Sequence, residues 1–206
     1  MKRILVTGFE PFGGDAENAS WDAVSQLPDV LDGVEILKRQ IPVVYDSVGK
    51  ILRQLTEELS PDAVICVGQA ANRCAVTPEK VAINWKSAII ADNAGVLYSG
   101  EFIHSEAPDA YFSTLPVEKM VDAIRKDGVP AQVSYAAGTY VCNCALYELL
   151  HYLKQHNPHI RACFIHVPYL CKQIINRPTS PSLPLETVTQ GLKSAISYLI
   201  AEDTAP

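Results

Sequence analysis

Short apolar runs alternate with longer amphipathic runs along the whole chain, and this alternation constrains the fold most. The apolar runs are typical of buried strands: RILVT, VEILKRQIPV, DAVICV, EKVAIN, AQVSYAA and RACFIHV. The amphipathic runs have apolar residues at three- and four-residue spacing: VGKILRQLTEEL, VEKMVDAIRKDG, ALYELLHYLKQH and PLETVTQGLKSAISYLIAED. This order predicts an α/β fold, a three-layer α/β/α sandwich around an open twisted sheet that is mostly parallel.

Composition limits the kind of protein. The 206 residues contain no linker, composition shift or internal repeat, so we expect a single domain over residues 1–206. A charged fraction of 19% and an apolar fraction of 48% exclude a disordered tail or a coiled coil. The net charge of −6 is spread out, so we expect no nucleic-acid partner. No apolar run suits a membrane span or a signal peptide, so we expect no membrane partner and a cytoplasmic location.

The cysteines lack the paired CxxC spacing of a structural zinc site, and a non-secreted chain is expected to keep them reduced. Cys66 and Cys163 lie inside apolar strand patterns, so we expect both to pack in the core. Cys142 and Cys144 differ, because they stand where a predicted strand gives way to a predicted helix.

Cys142 stands at the expected helix start. If the helix begins near Asn143, free backbone N–H groups and the helix dipole would lower the pKa of the Cys142 thiol. The same N–H groups could stabilise an oxyanion. Cys144 points about 200° further around the helix and is expected to pack inward. From its position alone, Cys142 could equally be an inert, buried cysteine or a nucleophile.

A cysteine nucleophile needs a base and benefits from a carboxylate that orients it. His166 ends the apolar strand CFIH, and ligand sites of open α/β sheets gather at such carboxyl ends. Glu79, at the start of a strand pattern, is a candidate carboxylate, with Glu10 and Glu101 as alternatives.

The segment GFEPFGG follows the first predicted strand. Its glycines lack the GxGxxG order, and no Lys-Ser/Thr pair follows, so a phosphate-binding loop is poorly supported. Phe9 and Phe12 would instead make an aromatic-walled cleft.

Seven motifs occur in order over nearly the whole chain: TGFEPFGG, PDAVICVGQA, VAIN, YFSTLP, GTYVCN, FIHVPYL and SLPLET. Together they resemble the pyroglutamyl peptidase I family, also called pyrrolidone-carboxylate peptidases. Enzymes of that family remove N-terminal pyroglutamate (5-oxoproline) from peptides by a Cys-His-Glu triad. The resemblance implies Cys142 as nucleophile, His166 as base, Glu79 as carboxylate, a thioester intermediate, and no metal or cofactor.

The resemblance also implies the substrate pocket, which would consist of Phe9, Phe12, Asn18, Gln69, Tyr140 and Val141. The two phenylalanines would sandwich the flat lactam ring. The implied partners are peptides with N-terminal pyroglutamate and further copies of the chain in a dimer or tetramer. The proline-rich stretch 168–184 offers a subunit contact.

The chain departs from the family pattern at three places. Ala19 and Ser20 follow Asn18, where the family commonly has Pro-Ser, and VGQA continues as ANR rather than as a glycine pair. Ile89 stands where the family has an arginine. Because these changes leave the implied triad intact, we expect them to alter rate more than reaction type.

Other functions remain open from the residues. One is an amidase that acts on a different small N-terminal group through the same triad. Another is a redox or metal-sensing protein that uses Cys142 and Cys144 together. A third is a nucleotide-binding module built on GFEPFGG.

Overall fold

The computed structural model describes residues 1–204, so the last two residues of the predicted domain lie outside the described range. Within it, the helices are α1 (Ala19–Ser25), α2 (Tyr45–Leu59), α3 (Val117–Lys126), α4 (Val141–His156) and α5 (Leu185–Thr204). The strands are β1 (Arg3–Phe9), β2 (Val30–Leu31), β3 (Val34–Ile41), β4 (Ala63–Gln69), β5 (Thr77–Glu79), β6 (Val81–Ile83), β7 (Lys86–Ser87), β8 (Ser99–Glu101), β9 (Ala110–Phe112), β10 (Arg161–Val167), β11 (Tyr169–Leu170) and β12 (Ser182–Leu183). A 3₁₀ helix spans Cys171–Ile174.

The main sheet has the strand order β2-β3-β1-β4-β10-β5. Its central strands β3, β1, β4 and β10 run parallel, and each edge strand is antiparallel to its neighbour. Strand residues alternate between two cores: Ile4 and Val6 pack with α1, α3 and α5, whereas Leu5 packs with α2 and α4. The predicted three-layer α/β/α sandwich is therefore confirmed.

The strand order reverses at β1, which has β3 on one side and β4 on the other. Helix α1, which follows β1, packs on one face of the sheet, and α4, which precedes β10, packs on the other, so a crevice is left at the carboxyl ends of β1 and β4. In open α/β sheets, that crevice is where ligands bind.

Two predicted strands differ in the structure. AQVSYAA is extended but is not a strand, since it forms only the isolated bridges Ala131–Val76 and Ser134–Glu79 within the described range. EKVAIN is divided at Lys80: β5 closes the main sheet, whereas β6 pairs with β9 in a separate ribbon. Helix α1 was not predicted because its seven residues are too few for a clear helical period.

Two further observations concern the whole described chain. Cys66 and Cys163 are fully buried, which confirms their prediction as core residues. No helix within residues 1–204 combines the length and apolar character that crossing a membrane requires.

Candidate active site

The carboxyl ends of three parallel strands surround one cavity of about 280 Å³. Phe9 ends β1, Gln69 ends β4, and His166 precedes the last residue of β10. The cavity is lined by Phe9, Phe12, Asn18, Val43, Gln69, Ala70, Ala71, Arg73, Ala136, Ala137, Gly138, Tyr140, Cys142 and His166. Most of the site residues predicted from the sequence therefore meet at one place.

Glu79 lies behind His166, outside the cavity wall. Strand β5 pairs with β10 so that Thr77 faces His166 and Phe164 faces Glu79. Residues two apart on a strand share a face, so the Glu79 carboxylate reaches the imidazole diagonally. Its Oε1 lies 2.7 Å from His166 Nδ1, and Glu79 is fully buried. Among the described residues, neither alternative, Glu10 nor Glu101, makes a hydrogen bond or ion pair with His166, and Glu10 instead accepts from Asn93.

Cys142 lies in the first turn of α4, which begins at Val141. Tyr140, the N-cap residue, makes no side-chain capping bond within the described range, so the N–H groups of the first turn stay available. The buried Asn143 fixes this helix start against β6: its Oδ1 accepts from Ile83 N at 2.9 Å, and its Nδ2 donates to Ile83 O at 2.8 Å.

Gly68 explains how the sulfur packs against β4 at the position paired with His166. Gly68 is the register partner of His166 across β4 and β10. A Cβ atom at Gly68 would lie 3.0 Å from Cys142 Sγ and 2.5 Å from Phe164 Cζ. The absence of a side chain therefore lets the sulfur pack directly over the sheet, beside His166.

The Cys142 thiol is a weaker acid than the sequence predicted. Burial, followed by the charge of Glu79, raises the pKa of Cys142 to about 12. Its own backbone N–H and Arg73 act in the opposite direction but do not outweigh these two causes. The helix start thus acts in the predicted direction, but burial outweighs it, so the predicted net lowering of this pKa was wrong.

Cys144 packs inward, as predicted. It is 3% exposed, and its Sγ lies 4.0 Å from the Tyr45 carbonyl oxygen in the core between α2 and α4. Burial raises the pKa of Cys144 to about 12. Only Cys142 of the two thiols lines the cavity, which disfavours a function that uses the pair together.

Aromatic side chains form much of the cavity wall. The Phe12 ring lies 5.9 Å from that of Tyr140, and the Phe9 ring lies 6.2 Å from that of Phe164. Tyr140 is held by a hydrogen bond of 3.0 Å from its hydroxyl to Ala91 O. Apart from Glu79, the exception among the predicted residues is Val141, whose side chain is fully buried in the core between α2 and α4 instead of lining the cavity.

Sequence reasoning missed Arg73. Its Nη2 lies 3.1 Å from Glu79 Oε1 and donates to Ala136 O at 3.0 Å. The guanidinium thus joins the buried carboxylate to the segment that walls the cavity. No pattern in VGQAANRC distinguishes this arginine from a solvated one, because its partner Glu79 is reached only through the fold.

Asn18 and Gln69 both line the cavity, but their amide oxygens are already bonded. Asn18 Oδ1 caps α1 by accepting from Ser20 N at 3.0 Å. Gln69 Oε1 accepts from Ala19 N and from Gln173 Nε2, each at 2.8 Å. What these side chains can still offer to a ligand is N–H groups.

Comparison with known proteins identifies the family. Residues 2–202 match the family model described as pyroglutamyl peptidase. The pyrrolidone-carboxylate peptidase of Lactobacillus johnsonii is 44% identical over 98% of this chain and 94% of its own length. That of Thermococcus onnurineus is 46% identical over 94% of this chain and 96% of its own. The crystal structure of pyroglutamyl peptidase I from Bacillus amyloliquefaciens superposes with a TM-score of 0.93 at 44% identity, covering 96% of this chain and 94% of that one. The chain belongs to the pyroglutamyl peptidase family.

Proposed function

We propose that this protein is a cysteine exopeptidase that removes N-terminal pyroglutamate from peptides, with Cys142 as nucleophile, His166 as base and Glu79 as the orienting carboxylate. The observation that carries the proposal is the 2.7 Å contact between His166 Nδ1 and Glu79 Oε1 at a cavity that also contains Cys142. A nucleophile, a base and a group that orients the base are the parts this reaction needs.

The first step is acylation. With Nδ1–H donated to Glu79, His166 has Nε2 free to accept the thiol proton. Because the pKa of Cys142 is raised to about 12, this transfer accompanies attack of the sulfur on the pyroglutamyl carbonyl carbon. The negative oxygen that forms is stabilised by backbone N–H groups at the start of α4.

The second half of the reaction releases both products. The scissile C–N bond breaks, imidazolium His166 protonates the leaving amine, and a thioester of Cys142 remains. His166 then takes a proton from water, the hydroxyl adds to the thioester, and the C–S bond breaks to give free pyroglutamate and the thiol. Glu79 stabilises each imidazolium, and Arg73 holds Glu79 in place.

The cavity suits a small, flat, uncharged ring. Phe9, Phe12 and Tyr140 supply apolar walls, and Gln69 supplies a polar group beside them. Pyroglutamate has a lactam carbonyl and no charged amine. An N-terminal proline lacks that carbonyl and has a charged amine, so we expect it to be rejected by on the order of 10⁴-fold at best.

The test is release of a fluorescent arylamine from its pyroglutamyl amide by wild type, Cys142→Ala and Cys144→Ala. We expect cleavage by wild type and Cys144→Ala, and none by Cys142→Ala. If the protein cleaves a different N-blocked amide and not the pyroglutamyl amide, the proposed substrate is wrong and the proposed triad stands. Equal loss in the two variants would contradict Cys142 as the nucleophile.

Three further expectations belong to this proposal. We expect activity to survive EDTA under reducing conditions, since no step uses a metal. We retain a homo-oligomer, dimer or tetramer, for which sedimentation at several concentrations is the test. A cytoplasmic location also remains our prediction, and fractionation of expressing cells tests it.

A further inference from the structure

The Gln69 side-chain amide has its orientation fixed by two donors. Its Oε1 accepts from the backbone N–H of Ala19 at 2.8 Å and from Gln173 Nε2 at 2.8 Å. A backbone N–H can only donate, so the atom facing Ala19 must be the oxygen. Gln69 is 6% exposed, so the wrong orientation would bury opposed donors.

The orientation of Gln173 is fixed in the same way. Its Oε1 accepts from the backbone N–H of Leu170 at 2.8 Å, so its other end must be the NH₂ group. That NH₂ group also donates to Glu17 O at 3.3 Å. Two backbone N–H groups, at Ala19 and Leu170, thus determine both amides of this pair.

The consequence lies at the cavity. Gln69 lines it, and within residues 1–204 no hydrogen bond uses Gln69 Nε2. The Gln69 side chain can therefore donate to a bound ligand but has an acceptor oxygen that is already occupied. A ligand group that meets this amide must offer an oxygen acceptor.

We infer that Gln173 is a positioning residue for specificity: it holds the Gln69 amide so that Nε2 faces the lactam carbonyl of the substrate. This inference rests on the proposed function for the identity of the acceptor, but not for the amide orientation itself. It also gives the stretch 168–184 a role in the pocket through its 3₁₀ helix.

Ala19 makes this chain suitable for the test. The family pattern commonly has proline at this position, which carries no N–H, whereas Ala19 donates one. Ala19 is the first residue of α1, where proline is tolerated, and Asn18 before it is already extended. Ala19→Pro therefore removes one donor to Gln69 Oε1 and places the ring Cδ where the N–H pointed, so the oxygen must move away from it and Gln173 is the remaining donor.

The main variant is Gln173→Glu, which keeps an oxygen for Leu170 N–H but replaces the donor to Gln69 by an acceptor. We expect KM for the pyroglutamyl arylamide to rise by roughly three- to tenfold with kcat nearly unchanged, because ring binding is lost and the triad is not touched. Gln155→Glu, the same substitution on α4 away from the cavity, should leave KM as in wild type. An unchanged KM in Gln173→Glu would overturn the inference while the proposed function stands.

Coupling between the residues separates positioning from general loosening. We expect Gln173→Glu to add nothing to KM once Gln69→Met is present, because the effect passes through Gln69. We also expect Gln173→Met to raise KM by a larger factor in an Ala19→Pro background than alone, because Gln69 Oε1 then has neither of its two donors. Additive effects in both pairs would overturn the inference.

A spectroscopic readout does not depend on the reaction. In ¹H–¹⁵N spectra of the free protein, the Gln69 NH₂ signals are assigned by their loss in Gln69→Met. We expect Gln173→Glu to shift or broaden them and Gln155→Glu to leave them in place. Unmoved signals in Gln173→Glu would overturn the inference even if wild type cleaved no pyroglutamyl amide, an outcome that by itself contradicts only the proposed function.

Discussion

His166 Nδ1 and Arg73 Nη2 approach the same oxygen of Glu79, at 2.7 Å and 3.1 Å. The other carboxylate oxygen, Oε2, is buried and has no hydrogen-bond partner within the described residues. Arg73 therefore places a positive charge beside a fully buried carboxylate, at the same oxygen that His166 contacts. Removing one member of a buried pair leaves the other uncompensated, which is costly.

Arg73→Met is expected to lower kcat/KM by about ten- to hundredfold, the loss of a hydrogen bond to a charged group. Arg73→Lys should recover part of this loss, because it returns a cation to the buried carboxylate. Steady-state kinetics check this, with Arg53→Met, which breaks an exposed pair with Glu57, as control. A wild-type kcat/KM in Arg73→Met would contradict a role for the guanidinium, and no recovery in Arg73→Lys would contradict a role for its charge.

Gly68→Ala tests the close packing of the nucleophile on the sheet. The new Cβ would meet Phe164 Cζ at 2.5 Å and Cys142 Sγ at 3.0 Å, so the ring and the sulfur must both move. We expect a loss of about 1–3 kcal/mol in the free energy of unfolding. Misplacement of the sulfur should also lower kcat roughly hundredfold. Denaturant titration and kinetics measure the two effects.

Gly191→Ala is the matched control for crowding at a buried glycine, since its Cβ would meet Val129 and Val76 at 3.2 Å, far from the cavity. It should change stability and leave kcat alone. Adding Phe164→Leu to Gly68→Ala relieves the contact with the ring and isolates the contact with sulfur. Full kcat in folded Gly68→Ala would show that the sulfur is not constrained there.

The sequence was most informative where local pattern and tertiary structure agree. Buried parallel strands have apolar residues on both faces, so β1, β4 and β10 could be predicted from runs of apolar residues alone. The carboxyl ends of these strands then bring Phe9, Gln69 and His166 together through topology. For the same reason the cleft could be predicted without a structure.

Features that depend on contacts distant in sequence could not be predicted. Arg73 reaches Glu79 only because β5 lies at the edge of the sheet. Gln173 meets Gln69 across more than a hundred residues of sequence. The pKa of Cys142 illustrates a conflict of effects: the helix start is visible in the sequence, whereas burial and the nearby Glu79 charge, which outweigh it, are not.

Alkylation of Cys142 by iodoacetamide checks that pKa. With a value of about 12, the thiolate fraction should rise about tenfold per pH unit from pH 6 to 9 with no plateau. Mass spectrometry of the Cys142 peptide separates this reaction from that of the exposed Cys74 and Cys171. A plateau near neutral pH would mean a thiolate–imidazolium pair in the free protein.

Glu79→Gln should change alkylation and hydrolysis in opposite directions. Loss of the carboxylate charge removes one cause of the raised pKa of Cys142, so alkylation at a fixed pH should become faster. Hydrolysis should become slower, by up to roughly 10⁴-fold, because the imidazole loses its orienting partner. A parallel fall in both rates would indicate that the variant simply disturbs the site.

Alkaline pH should destabilise the fold through its buried thiols. Burial raises the pKa of Cys66 from 9.0 to about 12. A raised pKa in the folded state gives stability that is complete below pH 9 and is lost as pH rises toward 12, since the unfolded chain then ionises first. Each such thiol lowers the free energy of unfolding by about 1.4 kcal/mol per pH unit in that window.

Urea titrations at several pH values from 8 to 10.5 give the free energy of unfolding at each pH. Plotted against pH, this free energy should fall with a shallower slope for Cys66→Ala than for wild type. Cys171→Ala, which removes an exposed thiol, is the control. Equal slopes in wild type and Cys66→Ala would mean that Cys66 ionises alike in both states, which full burial does not allow.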